Sequence, residues 1–259
     1  MFSKKSLGQN FLIDQNVIKK IINLVEIKNQ NIIEIGPGRG ALTKEIYKKN
    51  PKSLILIEKD NQFCNNLKNE YLNERKVKIF NKDILKFDLS KIKKKKLIIF
   101  GNLPYNISSQ ILVKFIKLKK WPPVYKDIIF MFQKELSDKI VATYPSKNYG
   151  RLSILTNYRL NTVKKFNISA NCFRPKPKVE SSVIHFRPRK NFKTKIQNID
   201  YLEKITNLFF SKKRKIIRKS LLRLLDNTKI NLINDLDLNL RPENLNPEIY
   251  YKITSLYEN

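Results

Sequence analysis

At 259 residues, 41% of them hydrophobic, the chain is long enough for one full-sized folded domain and a small second one, and its composition excludes a disordered or fibrous protein. Lysine and arginine number 53 against 22 aspartate and glutamate, a formal charge of +31 that favours polyanionic partners such as RNA, DNA or an anionic membrane surface. Cys64 and Cys172 lie far apart and the one histidine is His185, so neither a disulfide framework, a zinc site nor a Cys/His or Ser/His nucleophile is expected.

The N-terminus has no apolar signal region, and the longest apolar runs, such as Ile128–Phe132, are too short to span a bilayer, so we expect a soluble cytoplasmic protein. Short β-branched runs then alternate with helical patterns. Strands are predicted at Asn31–Ile35, Ser53–Ile57, Lys76–Phe80, Leu97–Phe100 and Asp127–Phe132. Helices are predicted from the glycine cluster to about Lys49, at Asn61–Leu72, Ile107–Lys117, Lys134–Ala142 and Tyr149–Leu160. Strands alternating with helices imply crossover connections, hence a Rossmann-like, doubly wound and mostly parallel sheet. Thr162–Ile168 and Val179–Phe186 read as a hairpin at the sheet edge. The pattern stops at Arg187–Asn198, a polar, basic linker containing Pro188, so the expected domains are 1–189 and 190–259. Beyond the linker only helices are predicted: Tyr201–Phe210, Lys215–Leu225 and Pro247–Tyr257, which make a small all-helical domain.

The cluster Glu34-Ile-Gly36-Pro-Gly38-Arg-Gly40 follows the first predicted strand, where glycines let the backbone turn tightly against a ligand. Gly36, Gly38 and Ala41 also fit the dinucleotide spacing, which keeps NAD in play. Glu58 ends the next strand, where a carboxylate suits the ribose of NAD or of S-adenosylmethionine equally well. Asp83 follows the third, placed to accept from an adenine amino group. Asn102-Leu103-Pro104-Tyr105 ends the fourth, and hydride transfer has no use for it. An adenine amino group is a poor nucleophile until its nitrogen is pyramidalised and aimed. The Asn102 side-chain oxygen and the Leu103 carbonyl would be the two acceptors that do so. Pro104 biases Leu103 toward an extended conformation, and Tyr105 offers a face on which a flipped base can stack. This chemistry is positioning and electrostatics, with no metal required.

These motifs resemble the small-subunit (16S) ribosomal RNA adenine N6,N6-dimethyltransferases (KsgA/RsmA type), class I methyltransferases, over almost the whole chain. The matching segments are Leu7–Leu12, Glu34–Thr43, Phe100–Ser108, Phe132–Glu135, Tyr149–Ser153 and Phe173–Val183. The resemblance implies that Asn10 and Leu12 close over the cofactor, with Gly36, Glu58 and Asp83 binding it beside Gly38. It implies that Asn102, Leu103, Pro104 and Tyr105 hold the target amine, with Phe173 as a second aromatic against the base. It also implies S-adenosylmethionine as cofactor. The implied substrate is two adjacent adenosines in the 3′-terminal hairpin loop of small-subunit rRNA, met by a monomer within an assembling 30S-type subunit. A large-subunit rRNA methyltransferase of the erythromycin-resistance type, a DNA adenine methyltransferase and a non-catalytic assembly factor on the same fold remain alternatives. The densest basic runs, Lys91–Lys96 and Lys212–Arg223, are the candidate phosphate contacts, the second read as a helix with its apolar stripe of Ile217, Leu221 and Leu224 turned to the core.

Overall fold

The computed structural model describes residues 10–259 apart from Asp235. It opens with a two-residue strand β1 (Phe11–Leu12), after which Asp14 caps α1 (Gln15–Ile22) by accepting from the Val17 NH at 2.9 Å. Next come β2 (Asn31–Ile35), α2 (Ala41–Lys48), β3 (Ser53–Glu58), α3 (Asn61–Glu70), β4 (Val77–Asn81), β5 (Leu97–Asn102), α4 (Ser108–Ile116) and β6 (Tyr125–Gln133). α5 (Lys134–Ile140), α6 (Arg151–Arg159), β7 (Leu160–Ile168), β8 (Phe173–Arg174) and β9 (Ser181–Pro188) follow. The chain finishes with α7 (Ile199–Phe210), α8 (Arg218–Leu221), α9 (Asn227–Asn231) and α10 (Pro247–Glu258).

Two compact units emerge. One comprises the chain up to Phe115 with Pro122–Ser137 and Asn161–Pro188; the other comprises Ile116–Trp121, Asp138–Leu160 and Arg189–Asn259. The second unit therefore draws in α6 and its approach as well as the residues beyond Pro188.

In the first unit seven strands form one sheet in the order β4-β3-β2-β5-β6-β9-β7. β4 through β6 run parallel and β9 runs antiparallel to β6, so the Rossmann-like α/β expectation holds. β3 is buried along its whole length, and Ile32, Ile98 and Phe100 are fully buried, as parallel strands covered by crossover helices must be. Strand order reverses between β2 and β5, and ligands in such sheets bind outside the carboxyl ends at that point. At the opposite end, buried Asp127 accepts from the Arg187 Nε at 2.8 Å and meets His185 Nε2 at 2.6 Å. Burial would raise the Asp127 pKa, but these two partners hold it below the usual carboxylate range.

In the second unit buried tyrosines turn their hydroxyls onto backbone carbonyls: Tyr250 on Pro242 at 2.7 Å, Tyr149 on Leu245 at 2.9 Å and Tyr251 on Ile154 at 3.1 Å. Arg159, also buried, donates to the Ile116 and Leu118 carbonyls and stacks on Trp121. The helix expected over Lys215–Leu225 is reduced to the four residues of α8. The backbone NH groups of Ile217 and Arg218 donate to the Leu240 and Leu238 carbonyls instead of continuing a helix, and like charges three and four residues apart disfavour one before them. Lys212, Lys213 and Arg214 thus sit exposed in a turn, while Ile217 and Leu221 remain buried.

Among the described residues no helix is long and apolar enough to cross a membrane.

Candidate active site

The carboxyl ends of β2, β3, β4 and β5 bring the predicted residues to one cleft. It is lined by Asn10, Leu12, Gly36, Gly38, Glu58, Asp83 and the whole stretch Asn102–Tyr105. Its floor is the glycine loop between β2 and α2, where Gly36, Gly38 and Gly40 all adopt positive φ (65°, 54° and 79°), a region that costs a residue with a Cβ about 1–2 kcal/mol. Gly36 also binds the Ile57 carbonyl through its NH at 2.9 Å, which ties the loop to β3.

Glu58 organises that loop. One carboxylate oxygen accepts from the Gly38 NH at 3.0 Å and the other from the Asp60 NH at 2.8 Å. Burial raises its pKa while those backbone donors oppose the rise. Each oxygen keeps a lone pair for a further donor. Asp83 accepts from the Leu85 NH at 2.9 Å and pairs with Lys59 at 2.9 Å; burial pushes its pKa up, but Lys59 and the Leu85 NH bring the balance below the ordinary value.

Asn102 is held by the N-terminal segment. Its Nδ2 donates to the Asn10 carbonyl at 3.0 Å, which orients the amide and leaves Oδ1 as an acceptor. The Pro104 carbonyl accepts from the Ile107 NH and the Tyr105 carbonyl from the Ser108 hydroxyl, whereas no hydrogen bond to the Leu103 carbonyl is formed among the described residues. Tyr105 is fixed by a 2.5 Å hydrogen bond between its hydroxyl and that of Ser181. Gly101 is required just before: a Cβ there would lie 2.6 Å from Leu103 Cδ2 and 3.2 Å from the Phe130 ring.

β1 covers the glycine loop. The Phe11 ring packs so close to Gly38 that a Cβ on that glycine would meet it at 3.0 Å, and Arg39 lies over the same ring. β1 is clipped in place by antiparallel pairing with β8, Phe11 opposite Arg174 and Leu12 opposite Phe173. Phe173 departs from expectation here. Its ring is wholly buried in the apolar core, not on the cleft wall, because the residue serves as the partner that anchors Leu12. In this conformation it offers no face to a base. Leu7, Gly8 and Gln9 of the same motif lie outside the described residues.

The family profile for ribosomal RNA adenine dimethylases matches residues 2–259. The chain belongs to that family. A ribosomal RNA small subunit methyltransferase A from Pelagibacter ubique is 45% identical over 99% of this chain and 97% of its own length. A crystal structure of a dimethyladenosine transferase from Plasmodium falciparum superposes with a TM-score of 0.77 at 26% identity, covering 94% of this chain and 95% of that one. The 23S rRNA methyltransferase ErmE shares the fold, with a TM-score of 0.70 at 22% identity over 96% of this chain and all of its own.

The family site contains one buried acid that sequence reasoning passed over. Glu34 stands among isoleucines on β2, faces the cleft, and accepts from the Thr43 hydroxyl at 2.7 Å. The signal was available: a carboxylate between isoleucines in a core strand is rare without a task. Burial raises its pKa to about 8, with Thr43 opposing and Glu58 adding to the rise. In the unfolded chain the group titrates near ~4.3. Between that value and about 8 only the folded state holds the proton, so stability declines as pH rises through this window. Glu34→Gln, neutral throughout, is expected to melt increasingly above the wild type between about pH 5 and about pH 8. Parallel melting curves across that range would show that Glu34 is already ionised in the fold.

Proposed function

We propose that the protein transfers methyl groups from S-adenosylmethionine to N6 of two adjacent adenosines in the 3′-terminal hairpin loop of small-subunit rRNA, in the cytoplasm, during subunit assembly. The observation that carries this reading is the Asn102 amide, its nitrogen occupied by the Asn10 carbonyl and its oxygen left as an acceptor at the cleft, one residue from the uncommitted Leu103 carbonyl. The small-subunit naming of the Pelagibacter relative, together with 45% identity over 99% of the chain, favours that substrate over large-subunit RNA.

The cleft fits the cofactor. A loop of positive-φ glycines admits a ligand where side chains would not, and the buried Glu58 carboxylate has acceptor capacity left for two ribose hydroxyls. Gly36 and Gly38 would lie along the cofactor, Asp83 would accept from its adenine amino group, and Asn10 with Leu12 would cover it. S-adenosylmethionine, when bound, supplies an electrophilic methyl on a positively charged sulfur. Asn102 Oδ1 and the Leu103 carbonyl would each take one N–H of the target amine, drawing its lone pair out of the ring and toward that methyl. Tyr105, held by Ser181, would stack on the extruded base. The proton released by the alkylated amine passes to solvent, so the chain needs no buried base.

The deciding assay incubates the protein with labelled cofactor and either undermethylated small subunits or naked large-subunit RNA, and maps the modified bases. Label on adjacent adenosines of the small-subunit hairpin is expected; label confined to large-subunit RNA would overturn the substrate, and none on RNA would overturn the reaction. Exposed Lys212, Lys213 and Arg214 are assigned to the RNA backbone in this reading. Replacing all three with alanine should flatten the dependence of RNA affinity on salt by about 2 in the log–log slope. An unaltered slope would remove them from the interface.

A further inference from the structure

The basic run Lys91–Lys96 has no place in the cleft, and the sheet explains where it belongs. Strand register aligns the starts of the parallel strands: Asn31 lies opposite Ser53, Leu54 opposite Val77 and Leu97 opposite Tyr125. A basic residue stands within two positions of the start of each of these strands except β2: Lys76 at β4, Lys52 at β3, Lys95 and Lys96 at β5, and Lys126 at β6. β9 runs the other way and ends here with Arg187. Backbone and amide contacts bind the row together. The Lys52 NH donates to the Gln30 carbonyl, the Leu54 NH to the Lys76 carbonyl, and Asn31 Nδ2 to the Lys95 carbonyl.

The lysine charges in this row are not cancelled, whereas Arg187 is paired with Asp127. Lys76 Nζ rests on Asn50 Oδ1 at 3.1 Å and Lys126 Nζ on Gln30 Oε1 at 2.9 Å, both neutral amides. Lys52, Lys95 and Lys96 are exposed, and among the described residues none of these five lysines forms an ion pair. Asp127, the buried acid at this edge, is taken up by His185 and Arg187. The lysines stand on four of the five adjacent strands from β4 to β6, which at ~4.8 Å spacing span roughly 19 Å, enough to follow a nucleic-acid strand over several phosphates.

This edge lies at the amino ends of the strands, whereas the cleft lies at their carboxyl ends. β3, with six residues, separates the two by about 20 Å. We propose that the amino-terminal edge of the sheet is a second RNA contact, a phosphate-binding rail that holds a segment of RNA other than the hairpin entering the cleft. The proposal rests on the rRNA reading above and adds to it that the enzyme grips its substrate on both ends of the sheet. A duplex backbone is the partner the row fits, since it offers charge at regular spacing and requires no base-specific contact.

The test uses the full chain carrying Lys52→Ala, Lys95→Ala and Lys96→Ala, none of which lines the cleft. Two RNAs are compared: a short hairpin with two adjacent adenosines, and the same hairpin extended by a neighbouring duplex arm. Anisotropy titrations across a potassium chloride series are expected to show the variant binding the longer RNA about tenfold or more weakly. Its log–log salt slope should be smaller by about 2.7, as three lost phosphate contacts on a duplex require. Hairpin affinity, calorimetric affinity for S-adenosylmethionine and methyl transfer at saturating small subunits should match the wild type. A triple arginine variant at the same positions should recover the affinity. Wild-type binding of the longer RNA by the alanine variant would overturn the proposal, as would an equal loss on both RNAs, which would put these lysines against the target hairpin. Absence of methyl transfer to undermethylated small subunits would overturn the reaction assigned above, while the binding difference between the two RNAs still decides the rail.

Discussion

Asn102→Ala is expected to reduce methyl transfer by about 10²–10³-fold, the usual loss when a preorganised hydrogen-bonding group is removed from the reacting atoms. The side chain does two things at once, since its oxygen is the proposed acceptor for the target amine and its nitrogen holds the Asn10 carbonyl at 3.0 Å. The loss should therefore appear mainly in turnover, with a smaller weakening of cofactor binding as the N-terminal segment loosens. Single-turnover transfer from labelled cofactor measures the first, and calorimetry the second. Asn102→Asp separates the roles, for it retains an acceptor oxygen but cannot donate to Asn10. Turnover surviving in the alanine variant would show that the amine is activated by something else.

Glu58→Ala should be the most damaging change to cofactor affinity. It removes the acceptor of both the Gly38 and Asp60 NH groups, and each buried donor left without a partner costs about 1–3 kcal/mol. It also removes the carboxylate proposed to receive the ribose hydroxyls. Loss of two such bonds, at about 1.5 kcal/mol each, corresponds to roughly 10²-fold in the dissociation constant. Calorimetric titration with S-adenosylmethionine and a thermal melt without ligand read the two contributions separately. A variant that melts lower yet binds the cofactor as well as wild type would confine Glu58 to loop support.

The sheet was legible because its strands are short runs of isoleucine, leucine and phenylalanine bounded by glycine, asparagine or charge, as in Asn31–Ile35 and Ser53–Glu58. Most of the cleft was legible for the same reason, since Gly36, Glu58, Asp83 and Asn102 each mark a strand end. What escaped was set by partners distant in sequence. β1 and β8 are two residues each, too short to show a period, and their pairing joins Leu12 to Phe173. That pairing turned Phe173 into a core anchor when its motif suggested a base-stacking ring. Lys215–Leu225 carries helical spacing, yet the carbonyls of Leu238 and Leu240 claim the amides that a longer helix would have used.

The clip between β1 and β8 bears on timing. The ladder has only two residue pairs and belongs to a separate sheet, so undoing it would leave the seven-stranded sheet intact. Were the segment above the glycine loop to lift, the Asn10 carbonyl would leave with it, and the hydrogen bond that orients the Asn102 amide would be lost. In the proposed reaction this would link loading to readiness, since the amide oxygen faces the target amine only while the Asn10 carbonyl holds the nitrogen. A second methylation of the same nitrogen, following release of the spent cofactor, would require the amide to be reset each round.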